Sequence, residues 1–134
     1  MNQIQTSNLS NIILAGNARF TIQNRLTQGR FTYKIKKAKS GEVYWVYVLR
    51  GKDNLHDYTF IGVYKNLQYI YSHKSSVSQT APSVKAFGWF VKNINNLGPV
   101  EVFNEGRCMR CGRPLTVPNS INNSIGPECI KYFK

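Results

Sequence analysis

The chain has 134 residues, of which 42% are apolar and 13% aromatic, a size and composition that allow one domain with one modest core. Eighteen Lys and Arg against six Asp and Glu give a net charge of +12, which favours polyanionic partners. No apolar run approaches the ~20 residues that span a bilayer, and the polar start contains no secretory segment. We therefore expect a soluble protein in a reducing cytoplasm, without a membrane partner.

The first predicted element is an antiparallel hairpin. Apolar and polar residues alternate strictly in residues 30–36 and again in residues 19–23, which is the period of a half-buried strand. Residues 24–29 between them have the length of a hairpin turn and end in glycine. The basic side chains that alternate outward are Arg19, Arg30, Lys34 and Lys36. We predict that these four cations share one face.

The basic charge is concentrated around this hairpin. Residues 19–52 contain nine Lys and Arg against Glu42 alone, a local charge of +8. A field of one sign favours a polyanion, and no amphipathic basic helix of the membrane-surface type is visible. We therefore predict a nucleic acid, DNA or RNA, as the partner, with an acidic protein as the alternative.

Two more strands are predicted at residues 43–50 and 58–64, separated by a turn at 51–54, and a fifth at 67–71. They are rich in aromatic residues: Tyr44, Trp45, Tyr47, Tyr58, Phe60, Tyr64, Tyr69 and Tyr71. Basic residues interleaved with aromatic ones suit a single strand, since each base can stack for ~1–3 kcal/mol. Because most aromatic residues of a small sheet protein lie in the core, we expect two or three of these eight to be exposed.

One helix is predicted at residues 83–97, after a serine-rich loop at 72–83. Val84, Phe87, Val91 and Ile94 recur at three- and four-residue spacing and would pack on the sheet. Gly98-Pro99 would end the helix, and a last strand at residues 100–103 would follow.

The three cysteines lie near the end of the chain. Cys108 and Cys111 form a Cys-x-x-Cys pair, and Cys129 follows after a seventeen-residue spacer. Such a pair offers two sulfurs from one tight turn, and Zn²⁺ takes sulfur ligands at ~2.3 Å in a tetrahedron. We predict that the three cysteines bind zinc and leave one corner of the tetrahedron for a fourth ligand.

Two other readings of the cysteines remain open. One disulfide plus a free thiol is possible, although disulfides rarely persist in a reducing cytoplasm. A redox Cys-x-x-Cys would need a thioredoxin-like strand and helix, which the flanks 105–107 and 112–114 do not resemble.

The cysteine region also carries a family resemblance. The run EGRCMRCGRPLTVPNSI at residues 105–121, closing with GPEC at 126–129, resembles an uncharacterised family carried mainly by bacteriophages and other mobile elements. Residues 20–22, 30–34 and 58–62 fit the weaker upstream pattern of that family. The resemblance implies a C-terminal zinc knuckle and an origin in a phage or mobile element.

The fourth zinc ligand departs from the family pattern. Relatives often carry His four residues before the first knuckle cysteine, where this chain has Asn104. Either the site differs in this chain or zinc has been lost. A replacement ligand could be a water or one of four side chains: His56, His73, Glu105 or Glu128. A hydrolytic zinc also needs a positioned general base, and no motif provides one. We therefore predict no catalytic residues and no enzymatic activity.

Three arginines, Arg107, Arg110 and Arg113, surround the Cys-x-x-Cys pair. Zinc knuckles use such arginines on phosphates and bases, so we include them in the predicted nucleic-acid-binding set. They could equally stabilise a negatively charged metal centre, and the two roles are compatible.

These observations predict an α+β fold: a twisted antiparallel sheet of about five strands, one packed helix and a C-terminal zinc-knuckle-like motif. Residues 1–103 would form the basic sheet domain, and residues 104–134 the knuckle packed on it. The predicted function is a small phage or mobile-element protein that binds nucleic acid, with a preference for single strands, in the host cytoplasm. The alternative is a phage-encoded inhibitor of a host protein such as a defence nuclease or polymerase.

Overall fold

The structure is a computed structural model that describes residues 2–4, 9–115, 124–126 and 128–133. Its strands are β1 (Asn2–Gln3), β2 (Asn17–Asn24), β3 (Arg30–Lys37), β4 (Tyr44–Leu49), β5 (Tyr58–Lys65), β6 (Gln68–Tyr71) and β7 (Val100–Asn104). Its helices are α1 (Leu9–Ile13), α2 (Pro82–Lys92) and a 3₁₀ helix (Cys129–Phe133).

The strands form one open antiparallel sheet in the order β1-β7-β2-β3-β4-β5-β6. The predicted antiparallel sheet with a helix packed on it is confirmed, but the described residues form seven strands instead of about five. β1 pairs two residues with β7, and two residues are too short to show a period in the sequence. The five-residue helix α1 was not predicted for the same reason.

One face of the sheet carries the core. The face includes Phe20 and Tyr33, and α2 packs on it through Phe87 and Phe90. The Tyr33 and Phe87 ring centroids lie 4.9 Å apart, and those of Phe20 and Phe90 lie 5.6 Å apart. The Tyr33 hydroxyl also donates to the Ser83 carbonyl at 2.6 Å, so a buried polar group is satisfied where the helix begins. The opposite face is not covered by α2.

The helix α2 ends at Lys92, five residues earlier than predicted. Asn93 follows, and both its backbone N–H and its side-chain Nδ2 donate to the Trp89 carbonyl. Asparagine side chains compete for backbone groups in this way, and residues 93–96 contain three of them. The apolar spacing that continues to Ile94 therefore did not mark the end of the helix.

The sheet contains a bulge where β4 and β5 pair, between Val46 and Tyr47. Gly62 lies there with φ +151°, and a Cβ at this position would lie 2.3 Å from the Ile70 carbonyl oxygen. Only glycine fits this close approach of β5 to β6, and bulges increase the local twist of a sheet.

Within the described ranges, no helix has both the length and the apolar character needed to cross a membrane.

The β5–β6 turn yields a prediction about stability. Leu67 lies in this turn with φ +63° and is 71% exposed, so a branched side chain occupies a left-handed position with little packing to offset the strain. We expect Leu67→Gly to raise the free energy of unfolding by about 1 kcal/mol, measured by urea denaturation. Leu26 is 77% exposed in the β2–β3 turn and does not itself have a positive φ, so Leu26→Gly is the matched control. Equal destabilisation by both variants would contradict the strain argument.

Candidate metal centre and basic sheet face

The structure brings Cys108, Cys111 and Cys129 together. Their Sγ atoms all lie within 4.8 Å of one another, so the cluster can hold a metal ion. Two thiols are buried and that of Cys111 is exposed. Thiolates bound tetrahedrally at ~2.3 Å from zinc would lie about 3.8 Å apart, so a small inward movement of the side chains would suffice.

A tight hairpin places the first two cysteines. The Gly112 N–H donates to the Cys108 carbonyl at 2.8 Å, the Cys108 N–H donates to the Arg113 carbonyl at 2.9 Å, and Arg107 forms a β-bridge with Pro114. Gly112 has φ +81°, and a Cβ there would lie 2.7 Å from the Asn17 Nδ2. The glycine after the second cysteine thus permits the turn to close against β2.

Hydrogen bonds and burial shift the pKa values of Cys108 and Cys129 in opposite directions. Burial would raise the pKa of Cys108, but backbone N–H groups of Gly126, Cys111 and Arg110 donate to its sulfur and bring the pKa to about 7. Burial raises the pKa of Cys129, although the Arg110 guanidinium donates to its Sγ over 3.6 Å and opposes the shift. Thiolate, the form that binds metal, is therefore favoured at Cys108 over Cys129.

The cysteine cluster is continuous with the main core. Cys108, Met109, Ile125 and Cys129 are buried in the same cluster as the sheet residues. The Met109 carbonyl accepts from the Asn17 N–H at 2.9 Å, which attaches the knuckle to β2. The predicted division into residues 1–103 and 104–134 stays a prediction.

Asn104 connects the chain segments around the cluster. The side chain is fully buried; its Oδ1 accepts from the Gly106 N–H at 2.9 Å, and its Nδ2 donates to the Ser124 Oγ at 3.0 Å. The Ser124 carbonyl in turn accepts from the Met109 N–H at 2.9 Å. Asn104 therefore orders two segments that carry cysteines.

None of the four side chains proposed as a fourth ligand belongs to the cluster. His56 Nδ1 lies 2.8 Å from an Asp53 carboxylate oxygen in an exposed turn, and His73 packs edge-on against Tyr71. Glu128 is exposed and lies 3.4 Å from Lys131. Glu105 accepts a hydrogen bond from the Thr21 hydroxyl. Of the candidates named from the sequence, water remains.

The face of the sheet opposite α2 carries the predicted cations in rows across the strands. Arg19 of β2 lies opposite Lys34 of β3, which lies opposite Tyr47 of β4. In the adjacent row, Lys36 lies opposite Trp45. We call the side chains of these two rows, together with Tyr58, the basic face.

Cations and rings are in contact on the basic face. Lys34 Nζ lies 5.3 Å from the Tyr47 ring centroid and 5.8 Å from that of Tyr58, and Arg19 Cζ lies 5.6 Å from the Tyr58 centroid. Partial burial lowers the pKa of Lys34, and the charges of Arg19 and Lys36 lower it further. The positive charges on the basic face therefore lie close enough for Arg19 and Lys36 to disfavour the charged form of Lys34.

Arg30 lies apart from the other three hairpin cations. It is opposite Gln23 near the β2–β3 turn, four residues or about 13 Å along β3 from Lys34. Thr21 and Thr32, which are opposite each other, lie between the two positions. The structure therefore places Arg19, Lys34 and Lys36 together and Arg30 on the same face at a distance.

The knuckle arginines have three different environments. Arg107 Nη1 donates to the Gly112 carbonyl at 2.9 Å, Arg110 donates to Cys129, and Arg113 is exposed. Burial raises the pKa of Tyr58 to about 12, while the charges of Arg19 and Arg107 lower it and that of Glu105 raises it. Arg107 therefore lies near the basic face, whereas Arg110 contacts the cysteine cluster.

Sequence reasoning missed a polar network on this face. Fully buried Thr21 donates to Glu105 Oε1, and the Thr21 and Thr32 hydroxyl oxygens lie 2.6 Å apart. The alternation along β7 could have shown that Glu105 points to this side, because Asn104 points to the core. Nothing in the sequence pairs it with Thr21, 84 positions away.

Exposed aromatic residues are fewer than expected. Of the eight aromatic residues in β4, β5 and β6, Trp45 is exposed, at 38%, and Tyr64 is buried. The other six are partly buried: Tyr44, Tyr47, Tyr58, Phe60, Tyr69 and Tyr71. Outside this set, Trp89 on α2 is 41% exposed. The basic face thus offers one open ring and several ring edges.

A comparison with protein families matched the C-terminal part of the chain. Residues 99–134 are similar to a family of unknown function, DUF6011, a segment that covers β7 and the cysteine cluster. No curated protein and no solved structure matched the chain.

The crowded cations yield a prediction about pH. Because the folded-state pKa of Lys34 is lowered, its charged form costs stability at every pH below that pKa, and the cost disappears as pH rises through the lysine range. We expect Lys34→Met to raise the melting temperature at pH 7 and the gain to shrink toward pH 10. Lys92 is exposed on α2, and Lys92→Met is the control, expected to change little. A gain for Lys34→Met that does not depend on pH would show that the cause is not charge.

Proposed function

We propose that the protein binds single-stranded nucleic acid on the basic face, and that a structural zinc ion bound by Cys108, Cys111 and Cys129 holds the knuckle beside that face. The observation that carries the proposal is the row in which Arg19, Lys34 and Tyr47 lie directly opposite one another across three strands. Cations next to rings offer one strand both of its binding chemistries, phosphate and base.

The energetics of the row support a polyanionic partner. Burial lowers the pKa of Lys34 most, and the charges of Arg19 and Lys36 lower it further, so the free protein tolerates a repulsion that a bound phosphate would offset. Among the described residues, the ion pairs are His56–Asp53 and Lys131–Glu128, and neither involves a cation of this row. Residues that oppose stability and cluster on one surface are typical of functional sites.

The rings favour a single strand over a duplex. Trp45 is exposed beside Lys36, and Tyr47 and Tyr58 lie next to Lys34. Bases of a single strand can stack on such rings, whereas those of a duplex are already stacked on each other.

The knuckle supports a structural role for zinc. Three thiols converge, three backbone N–H groups donate to Cys108, and Arg110 donates to Cys129. Such donors stabilise the charge of a thiolate centre. The carboxylates considered as a general base, Glu105 and Glu128, are hydrogen-bonded to Thr21 and Lys131, which favours a binding role over a catalytic one.

An inhibitor of a host protein is the alternative use of the same face, since a basic surface also fits an acidic groove. Origin in a phage or mobile element and location in a host cytoplasm stay predictions.

The zinc proposal predicts about one zinc ion per chain. Structural zinc contributes on the order of 10 kcal/mol to small metal sites, so Cys111→Ser should lose the metal and destabilise the knuckle. Metal content would be measured by mass spectrometry, and Co²⁺ substitution should give a thiolate charge-transfer band that Cys111→Ser weakens. Purified protein that contains no zinc, binds no added Co²⁺ and melts normally would contradict the zinc proposal.

The nucleic-acid proposal predicts a charge effect that depends on position. The double variant Lys34→Glu/Lys36→Glu should lose most affinity for a labelled single-stranded oligonucleotide of about 20 residues. Its log–log salt slope should fall by about 1.4 or more, since each phosphate contact with a single strand contributes about 0.7. Fluorescence anisotropy across a salt series measures both.

Lys85→Glu/Lys92→Glu is the matched control. It makes the same change in charge on α2, which packs on the other side of the sheet, and both lysines are exposed. Equal effects of the two double variants would reduce the proposal to non-specific attraction. Unchanged oligonucleotide affinity together with lost capture of a host protein, in nuclease-treated lysate, would favour the inhibitor.

A further inference from the structure

We propose that Glu105 gives the basic face a preference for guanine: its carboxylate would accept hydrogen bonds from the Watson–Crick edge of a guanine in the bound single strand. The inference rests on the proposed function and adds a base-specific contact to it.

The two threonine hydroxyls beside Glu105 form a hydrogen-bonded chain with a fixed direction. Thr21 has one O–H group and donates it to Glu105 Oε1, so the short contact between the two threonine hydroxyls must be a donation from Thr32 to Thr21. Both protons point toward the carboxylate. A fully buried hydroxyl therefore fixes one carboxylate oxygen in position.

The Glu105 carboxylate keeps acceptor capacity after it has bonded to Thr21. An ionised carboxylate has about four lone-pair sites, and Thr21 uses one. Within the described ranges no ion pair includes Glu105, although its charge and those of Arg19 and Arg107 all act on Tyr58. Arg19 lies over the Tyr58 ring, and Arg107 donates to the Gly112 carbonyl. The nearby guanidiniums thus leave the carboxylate able to accept from a ligand.

A purely structural bond between Glu105 and Thr21 would not need a charge. A glutamine at this position could accept from Thr21 equally well. A carboxylate, by contrast, repels phosphates on a face whose other charges attract them. The negative charge of Glu105, held in position by the Thr21 hydroxyl, is suited to a part of the nucleic acid that presents several hydrogen-bond donors.

The base chemistry selects guanine. Its Watson–Crick edge presents two adjacent donors, N1–H and N2–H, which match the two oxygens of a carboxylate. Cytosine and adenine each present one amino donor beside an acceptor nitrogen, and thymine or uracil presents one donor between two carbonyls. Each adjacent acceptor would face the carboxylate and repel it. A bidentate contact of this kind typically discriminates by on the order of tenfold or more.

The test uses oligothymidylate with one central substitution. Wild-type protein should bind the guanine-containing strand most tightly, by on the order of tenfold over adenine, with hypoxanthine between them because it lacks the N2 amino group. Glu105→Gln should tighten binding to plain oligothymidylate and abolish most of the guanine preference.

Thr21 is a positioning residue in this scheme. Thr21→Val is nearly isosteric, keeps the carboxylate and should reduce the guanine preference, whereas Thr21→Ser should retain it. Thr32→Val, which leaves the bond from Thr21 to Glu105 intact, is the matched control and should have a smaller effect. Circular dichroism confirms that each variant is folded.

The outcomes separate the two proposals. If no strand binds, the proposed function and the guanine preference both fail. If all strands bind equally and Glu105→Gln tightens every one by the same factor, Glu105 acts only through its charge; the guanine preference is then overturned while nucleic-acid binding stands.

Discussion

The register between β2 and β3 is the constraint on which the two faces of this protein depend. Phe20 pairs with Tyr33, which puts both rings under α2, and the same register puts Arg19 opposite Lys34 on the other side. Because side chains alternate with a period of two, a slip of one residue would bury the cations and expose the rings. The aromatic contacts of the core therefore fix the geometry of the basic face.

The same sheet also positions the cysteine cluster. Asn104 at the end of β7 bonds to both Gly106 and Ser124, and Asn17 at the start of β2 bonds to Met109. The sheet thus brings together two segments, around Cys108 and Cys129, that are far apart in the chain. A metal ion bound there would stabilise the end of the sheet from which Glu105 and Arg107 emerge beside Tyr58.

Charge on the basic face is arranged at a cost to stability. Arg19, Lys34 and Lys36 repel one another, and the contacts that accompany them are with aromatic rings. Cation–π contacts offset part of the repulsion, typically by about 0.5–1 kcal/mol at exposed sites. Glu105 is an acidic residue next to this basic face. It accepts a hydrogen bond from the buried Thr21 hydroxyl, and no ion pair among the described residues includes it. The face therefore combines a field that attracts phosphates with one fixed acceptor.

The sequence by itself determined the local features of this protein. Period-two alternation gave the β2–β3 hairpin and the outward direction of Arg19 and Lys34, and the apolar spacing gave α2. The Cys-x-x-Cys spacing indicated a metal cluster, and the three sulfurs do converge. Tertiary structure alone decided the rest: the pairing of β1 with β7 and the bond from Thr21 to Glu105. Each of these depends on residues that are distant in the chain, and periodicity and spacing report only on neighbours along it.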